Sequence, residues 1–352
     1  MRGEGRIIDG PDVHLAEWRP DEFLPVVGHD AARYSRGYLA ADPAAWFPAL
    51  ADHWLPLSHV LTSSLTFRSC ERVFELPETL ECPVIFEVDS ELAVIAFERD
   101  AGSIIAQTLL PGCGPSAAAV ALDYIQRRLL SSLSRSWSGS EGLVARYLSS
   151  GDWSGVDVAA ALNLNVEIDG SLCTIWFGFG QRLLEKLDGR WRRKLFDDRH
   201  AAAGGVLGDE VFYAGIEIAE LGVPPAMLID YVRSGAVVDL ELPVSRKARV
   251  RVNGRAWVEG NICQFRDRYA LEVTNTHPAA VSFPEGTTRM RVELAQTDID
   301  HEGLIEHAQR GAVLLTETPL GSRVSLIVSG EHVASATLGV INGSFALRVL
   351  PK

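Results

Sequence analysis

The sequence predicts an α+β chain. An N-terminal mixed α/β domain spans residues 1–205, and two small, mostly-β domains of one helix each follow over 206–280 and 289–352, packed as a pseudo-symmetric pair. Three observations predict this. The C-terminal half repeats itself without a gap, the N-terminal half mixes strand-like and helix-like runs, and no stretch approaches the roughly 18 apolar residues of a membrane span.

In the N-terminal half, residues 1–65 are rich in Trp, Pro and Ala ("ADPAAWFPALADHWLPLSHVL") and predict helix broken at prolines. Strand-like runs follow: "PVIFEVD", "ELAVIAFE" and "SIIAQTLL". A helix over "SAAAVALDYIQRRLLSSLSRSW" takes Ser116 as its cap. Strands "LNVEI" and "LCTIWFGF" precede a short helix, "QRLLEKLDG", and "HAAAGGVLG" reads as a linker.

"GCGPSA" (112–117) matches G-x-G-x-x-A between a strand-like run and a helix, as a dinucleotide turn would. No second strand ending in an acid follows, and Pro115 removes an amide that would cradle phosphate, so a plain turn is expected. Cys113 beside it reads as packing.

The repeat carries the strongest signal. At an offset of 76, residues 216–273 align with 292–349, and fourteen of the 58 positions are identical. Each copy opens with a short strand and then a helix bearing Val223, Leu228 and Val232, or Ile299, Leu304 and Ala308, on one face. Gly235 and Gly311 follow as C-cap positions. Next come the strands "AVVDLEL" and "AVLLTET", closed by Pro243 and Pro319, and hairpins turning at Asn253-Gly254 and Ser329-Gly330. A final hairpin turns near Arg266-Asp267 and Asn342-Gly343. One unit of about 60 residues buries too little to stand alone and leaves open strand edges. The copies, joined by 276–288, are therefore expected to cover each other, within one chain or between chains.

"DHEGLIEHAQRGAV" (300–313) brings histidines and glutamates together, yet H-E-x-x-H fails because Ile305 stands where the second histidine belongs. His301 and His307 lie about 240° apart around a helix, so they do not converge on one ion. Solvated histidines on the outside of a structural helix are expected, with no metal.

A net charge of −13 disfavours general nucleic-acid affinity. Five scattered cysteines (Cys70, Cys82, Cys113, Cys173, Cys263) form no C-x-x-C, which suggests a reducing compartment, and the start lacks the apolar core of a secretory signal. Basic residues cluster at "RWRRK" (190–194) and "SRKARVRVNGR" (245–255). In the latter, Arg249 and Arg251 alternate with Val250 and Val252; the second copy keeps Val324, Leu326 and Val328 and loses the charge. These seven residues are the candidate protein interface, the arginines docking an acidic segment. No catalytic or cofactor-binding residue is nominated.

The helix, "GAVV.L.LP", "V.V.NG" and a closing "ALEV" or "ALRV" resemble the SPOA domain of flagellar motor switch (FliN/FliM-like) proteins. Two in tandem at the end of such a chain resemble the type III secretion Q protein (SctQ/HrcQ class), over roughly 210–352. No response-regulator-binding peptide of the flagellar kind is found in residues 1–20. The resemblance implies a non-enzymatic scaffold without cofactors, an oligomer in the cytoplasm, peripheral to the inner-membrane secretion apparatus. Implied partners are a stator-like protein linked to the secretion ATPase, a membrane-ring adaptor and chaperone–effector complexes. A short second product starting near Met290 is also implied. A flagellar C-ring component is the neighbouring reading; a nucleotide-dependent enzyme with the repeats as a dimerisation module is the reading from another class.

Overall fold

A computed structural model describes residues 2–3, 5–8, 14–40, 65–74, 76–140, 144–203 and 210–351. The chain divides into one unit of Met1–Arg36 with Leu195–Lys352 and a second of Gly37–Lys194. Residues 1–205 are therefore not one domain: the first 36 pack with the repeats. They carry the short strands β1 (Arg2–Gly3), β2 (Arg6–Ile8) and β3 (Ala16–Glu17) and the helices Pro20–Phe23 and His29–Tyr34. The proline-rich stretch 41–61 lies outside the described residues.

The Gly37–Lys194 unit is built on an antiparallel sheet of β4 (Leu65–Val73), β5 (Leu80–Val88), β6 (Glu91–Glu98), β7 (Ala145–Ser150), β8 (Val158–Ile168) and β9 (Ser171–Gly180). Their order is β4-β8-β9-β6-β5-β7. Runs such as Ala93–Phe97 and Cys173–Phe179 are buried residue after residue, as strands covered on both faces require.

"SIIAQTLL" is not a strand. It lies in the helix Ala101–Leu109, where Ala101, Ile105 and Ala106 turn inward at helical spacing, so the glycine turn of 112–114 joins two helices and lacks the strand a dinucleotide site needs. The second helix runs Pro115–Ser140 with its proline in the first turn, and Ala118 donates to the Gly114 carbonyl, so Ser116 is not the cap. The helix after β9 runs Gln181–Ala203, far past "QRLLEKLDG", because Leu183, Leu184, Leu187 and Trp191 keep one buried stripe through the basic run. Its end takes up the start of the expected linker; 204–209 lie outside the described residues.

The repeats follow as β10 (Val211–Val223), β11 (Val237–Pro243), β12 (Lys247–Val252), β13 (Arg255–Phe265) and β14 (Arg268–Asn275), then β15 (Thr288–Asp300), β16 (Val313–Pro319), β17 (Arg323–Val328), β18 (Glu331–Ile341) and β19 (Ser344–Val349). The helices between are short, Leu228–Tyr231 and His301–His307, the latter capped by Asp300 accepting from the Gly303 amide at 2.7 Å. Asn253, Gly254, Ser329 and Gly330 all have positive φ, as type I′ turns demand. Gly235 and Gly311 also have positive φ, but they lie beyond the helix ends, and their amides cross to Val349 and Val273 of the other copy.

The copies are intertwined. β11 pairs with β19 and β16 with β14, so each copy completes its sheet with a strand of the other, while β10 and β15 pair antiparallel at the centre. Val250, Val258, Leu271, Val292, Leu326, Leu338 and Leu347 share one core. The helix faces depart from expectation: Val223 and Ile299 belong to the ends of β10 and β15, and Glu306 and His307 are buried. His307 is not solvated. Its ring is 2.8 Å from the Gly303 carbonyl, and burial pushes its pKa down to about 4.

The N-terminal segment laces this pair. β1 adds to β10, β2 to β11 and β3 to β18. Trp18 stacks on Tyr269 and meets Phe345 edge-on, at ring centroids of 6.3 and 5.8 Å. Those two rings occupy the same position in the two copies. Gln264 donates to the Leu24 carbonyl at 3.0 Å, and Ser35 Oγ accepts the Val313 amide of β16 at 2.9 Å. One short segment thus covers the β11 edge with a strand and the β16 edge with a side chain.

Candidate functional site

The two copies meet along the central β10–β15 ladder. There Glu217 of β10 and Glu293 of β15, each the counterpart of the other, sit opposite one another between register shifts of the central ladder. Gly215 makes room: a Cβ at that position would stand 2.1 Å from Glu293 Oε2.

Around them lies a buried ionic network. Arg251 of β12 places Nε 2.8 Å from Glu217 Oε2 and Nη2 2.7 Å from Glu220 Oε2. Arg291 of β15 closes on Glu217 Oε1 at 2.8 Å. Arg249 pairs with Glu259 at 2.5 Å and stands 4.0 Å from Glu220. Tyr213 joins Glu293 by a hydrogen bond, and Gln296 Oε1 lies 2.9 Å from the same hydroxyl. Burial raises the Glu293 pKa, with a further push from Glu217 against the Tyr213 hydrogen bond and Arg291. Burial raises Glu217 as well, against the pull of Arg251 and Arg291. At Glu259 burial also pushes upward, but bonds from Arg249 and Asn275 outweigh it and the pKa is lowered. Burial and Glu293 raise the Tyr213 phenol.

A cleft of ≈ 690 Å³ opens over this network, bordered by Tyr213, Arg289, Arg291 and the two matching hairpin tips at Asn253-Gly254 and Ser329-Gly330. Beneath it lie guanidinium–carboxylate pairs held by strands of both copies. Among the described residues, no three His, Cys, Asp or Glu side chains come close enough to hold a metal ion.

The seven interface candidates therefore take another role. Arg249 and Arg251 are 6% and 9% exposed and paired with the chain's own carboxylates, so they do not form a basic strand open to an acidic partner. A guanidinium that turns away from one core here meets Glu217, Glu220 and Glu259 of neighbouring strands. Val250, Val324, Leu326 and Val328 are buried, and Val252 packs at the margin of the same core. Sequence reasoning passed over the glutamates, although Glu217 and Glu293 are one of the fourteen identities, a charge kept inside a strand. Of the basic run 190–194, Trp191 is buried and Arg190 pairs with Asp89 at 3.0 Å.

Residues 287–351 match the family described as Type III flagellar switch regulator (C-ring) FliN C-term. The second copy is thus flagellar-switch-like, which agrees with two tandem SPOA-type units. No curated protein matches the chain. Among solved structures, the FliM middle domain from H. pylori shares 12% identity at a TM-score of 0.36, covering 47% of this chain and 99% of that one. FliY from Thermotoga maritima shares 13% identity at 0.35, covering 48% and 98%. No helix among the described residues is long and apolar enough to cross a membrane.

Proposed function

We propose that the chain is a non-enzymatic scaffold of a type III protein secretion apparatus. It builds the cytoplasmic ring, or sorting platform, that links the membrane ring to the stator and ATPase and receives chaperone–effector complexes. The observation that carries this reading is the intertwined pair, one half of which matches the C-ring family while the other repeats it at an offset of 76. A duplicated, strand-exchanged module is a rigid building block for an assembly. Met290 lies buried in β15, two residues into the strand, so a product starting there keeps nearly all of the second copy.

A flagellar C-ring component is the second reading, favoured by the flagellar description of the matched family. Mass spectrometry of complexes affinity-purified from the native host separates them. Recovery of a secretion stator, ATPase and adaptor is expected; recovery of flagellar motor proteins alone moves the chain to the ring of the flagellum. Recovery of neither rejects the scaffold.

A further inference from the structure

We propose that residues 1–36 are an exchangeable strap, and that the seat they fill on the repeat pair takes the same segment from a second copy of this chain. Three observations carry it.

The first is connectivity. The strap and its seat belong to one unit, yet the chain joins them only through residues 37–194, which form the other unit. An element tethered through a separate body can be handed to a neighbour with every contact reproduced, so the exchange costs only the entropy of association.

The second is the form of the attachment. The strands β1, β2 and β3 hold two or three residues each, and a further contact is the lone bridge from Val26 to Gln264. None is long enough to hold alone, so the strap is bound by many small sites that open in turn. Its anchor, Trp18, is 4% exposed, and its indole N–H has no acceptor among the described residues. That orphaned donor weakens the hold below what the buried ring area suggests.

The third is what release uncovers. Without the strap, the β11 edge loses Arg6–Ile8, the β16 edge loses Ser35, and the paired rings of Tyr269 and Phe345 lose the indole between them. Two open edges and an aromatic slot are complementary to the strap itself.

The test uses full-length chains carrying Cys82→Ser, which removes an exposed thiol. Ile8 and Val237 are register partners between strap and seat. One differently tagged chain carries Ile8→Cys and the other Val237→Cys; they are co-expressed, oxidised and run on a non-reducing gel. A covalent heterodimer several-fold above single-variant controls, rising with protein concentration, is expected. A chain carrying both substitutions must cross-link, as a monomer, a dimer or both. If it cross-links only within itself and the mixed chains stay separate, the exchange is overturned. If neither preparation cross-links, the seat is wrongly assigned and the proposal falls with it.

Discussion

Glu217 and Glu293 are cross-strand partners on the central ladder and the same position in the two copies. Glu217 has two guanidiniums; Glu293 has a phenol. A phenol has one proton to give: Tyr213 donates to Glu293, and Gln296 Oε1 lies 2.9 Å from the same hydroxyl. Burial, ahead of the charge of Glu217, raises the Glu293 pKa. A carboxyl raised in the fold lends stability that is full below its unfolded value and lost as pH rises through the folded one. Glu293→Gln should therefore raise the urea midpoint at pH 8 relative to pH 5 and flatten the decline of stability with rising pH. Glu217 has the same sign and remains, so the decline shrinks without vanishing. A variant with the unaltered pH slope would contradict the raised pKa of Glu293.

Arg251 bridges Glu217 and Glu220, each only 3% exposed. Removing one partner of a buried ionic set leaves the others charged and unpaired, at a cost of about 3–5 kcal/mol. Arg251→Ala should lose stability on this scale in urea unfolding. Arg251→Met, tested beside Glu217→Gln and Glu220→Gln together, should recover much of it. A single alanine variant within 1 kcal/mol of the parent, roughly the worth of a surface pair, would show that the network is solvated.

His307 is held neutral by burial, with a pKa near 4 against an ordinary 6.5. Stability contributed by a depressed histidine is full above its unfolded pKa and is lost as pH falls through the folded one. The acid limb between about pH 6.5 and 4 should then cost roughly 3 kcal/mol at this site. His307→Gln, which can still donate to the Gly303 carbonyl, should flatten that limb. Thermal unfolding at pH 7 and pH 4.5 compares the two.

Strap docking should respond from both sides. Trp18→Ala removes a buried indole, a change worth about 3–5 kcal/mol where the site does not collapse. Gly339→Ala acts from the seat, since a Cβ there would stand 2.6 Å from the Ala16 carbonyl oxygen and 2.4 Å from Leu15. Either change should speed amide exchange in residues 14–36 and along β11, while the β10–β15 ladder stays protected. Uniform loss of protection would mean that strap and repeats unfold as one.

Much of the repeat was legible because its rules are local. Positive φ at Asn253 and Ser329, the closing Pro243 and Pro319 and the apolar alternation of β12 and β17 depend on a few neighbours. What depended on distant partners was not. Arg249 and Arg251 look like a solvated face until β10 supplies Glu217 and Glu220. "SIIAQTLL" has the apolar density of a strand, and only the inward turn of Ile105 and Ala106 shows it to be helical. The affinity of residues 1–36 for a partner beyond Gly37–Lys194 leaves no periodic trace, because strands of two or three residues carry none.

Strand exchange has a last consequence for any protease that reaches the crossover loop. Cleavage between Asn275 and Thr288 would cut the covalent path between the copies without freeing either, since β11 would remain stitched to β19 and β16 to β14. The severed polypeptide would migrate as one particle in native buffer and fall into fragments only in denaturant.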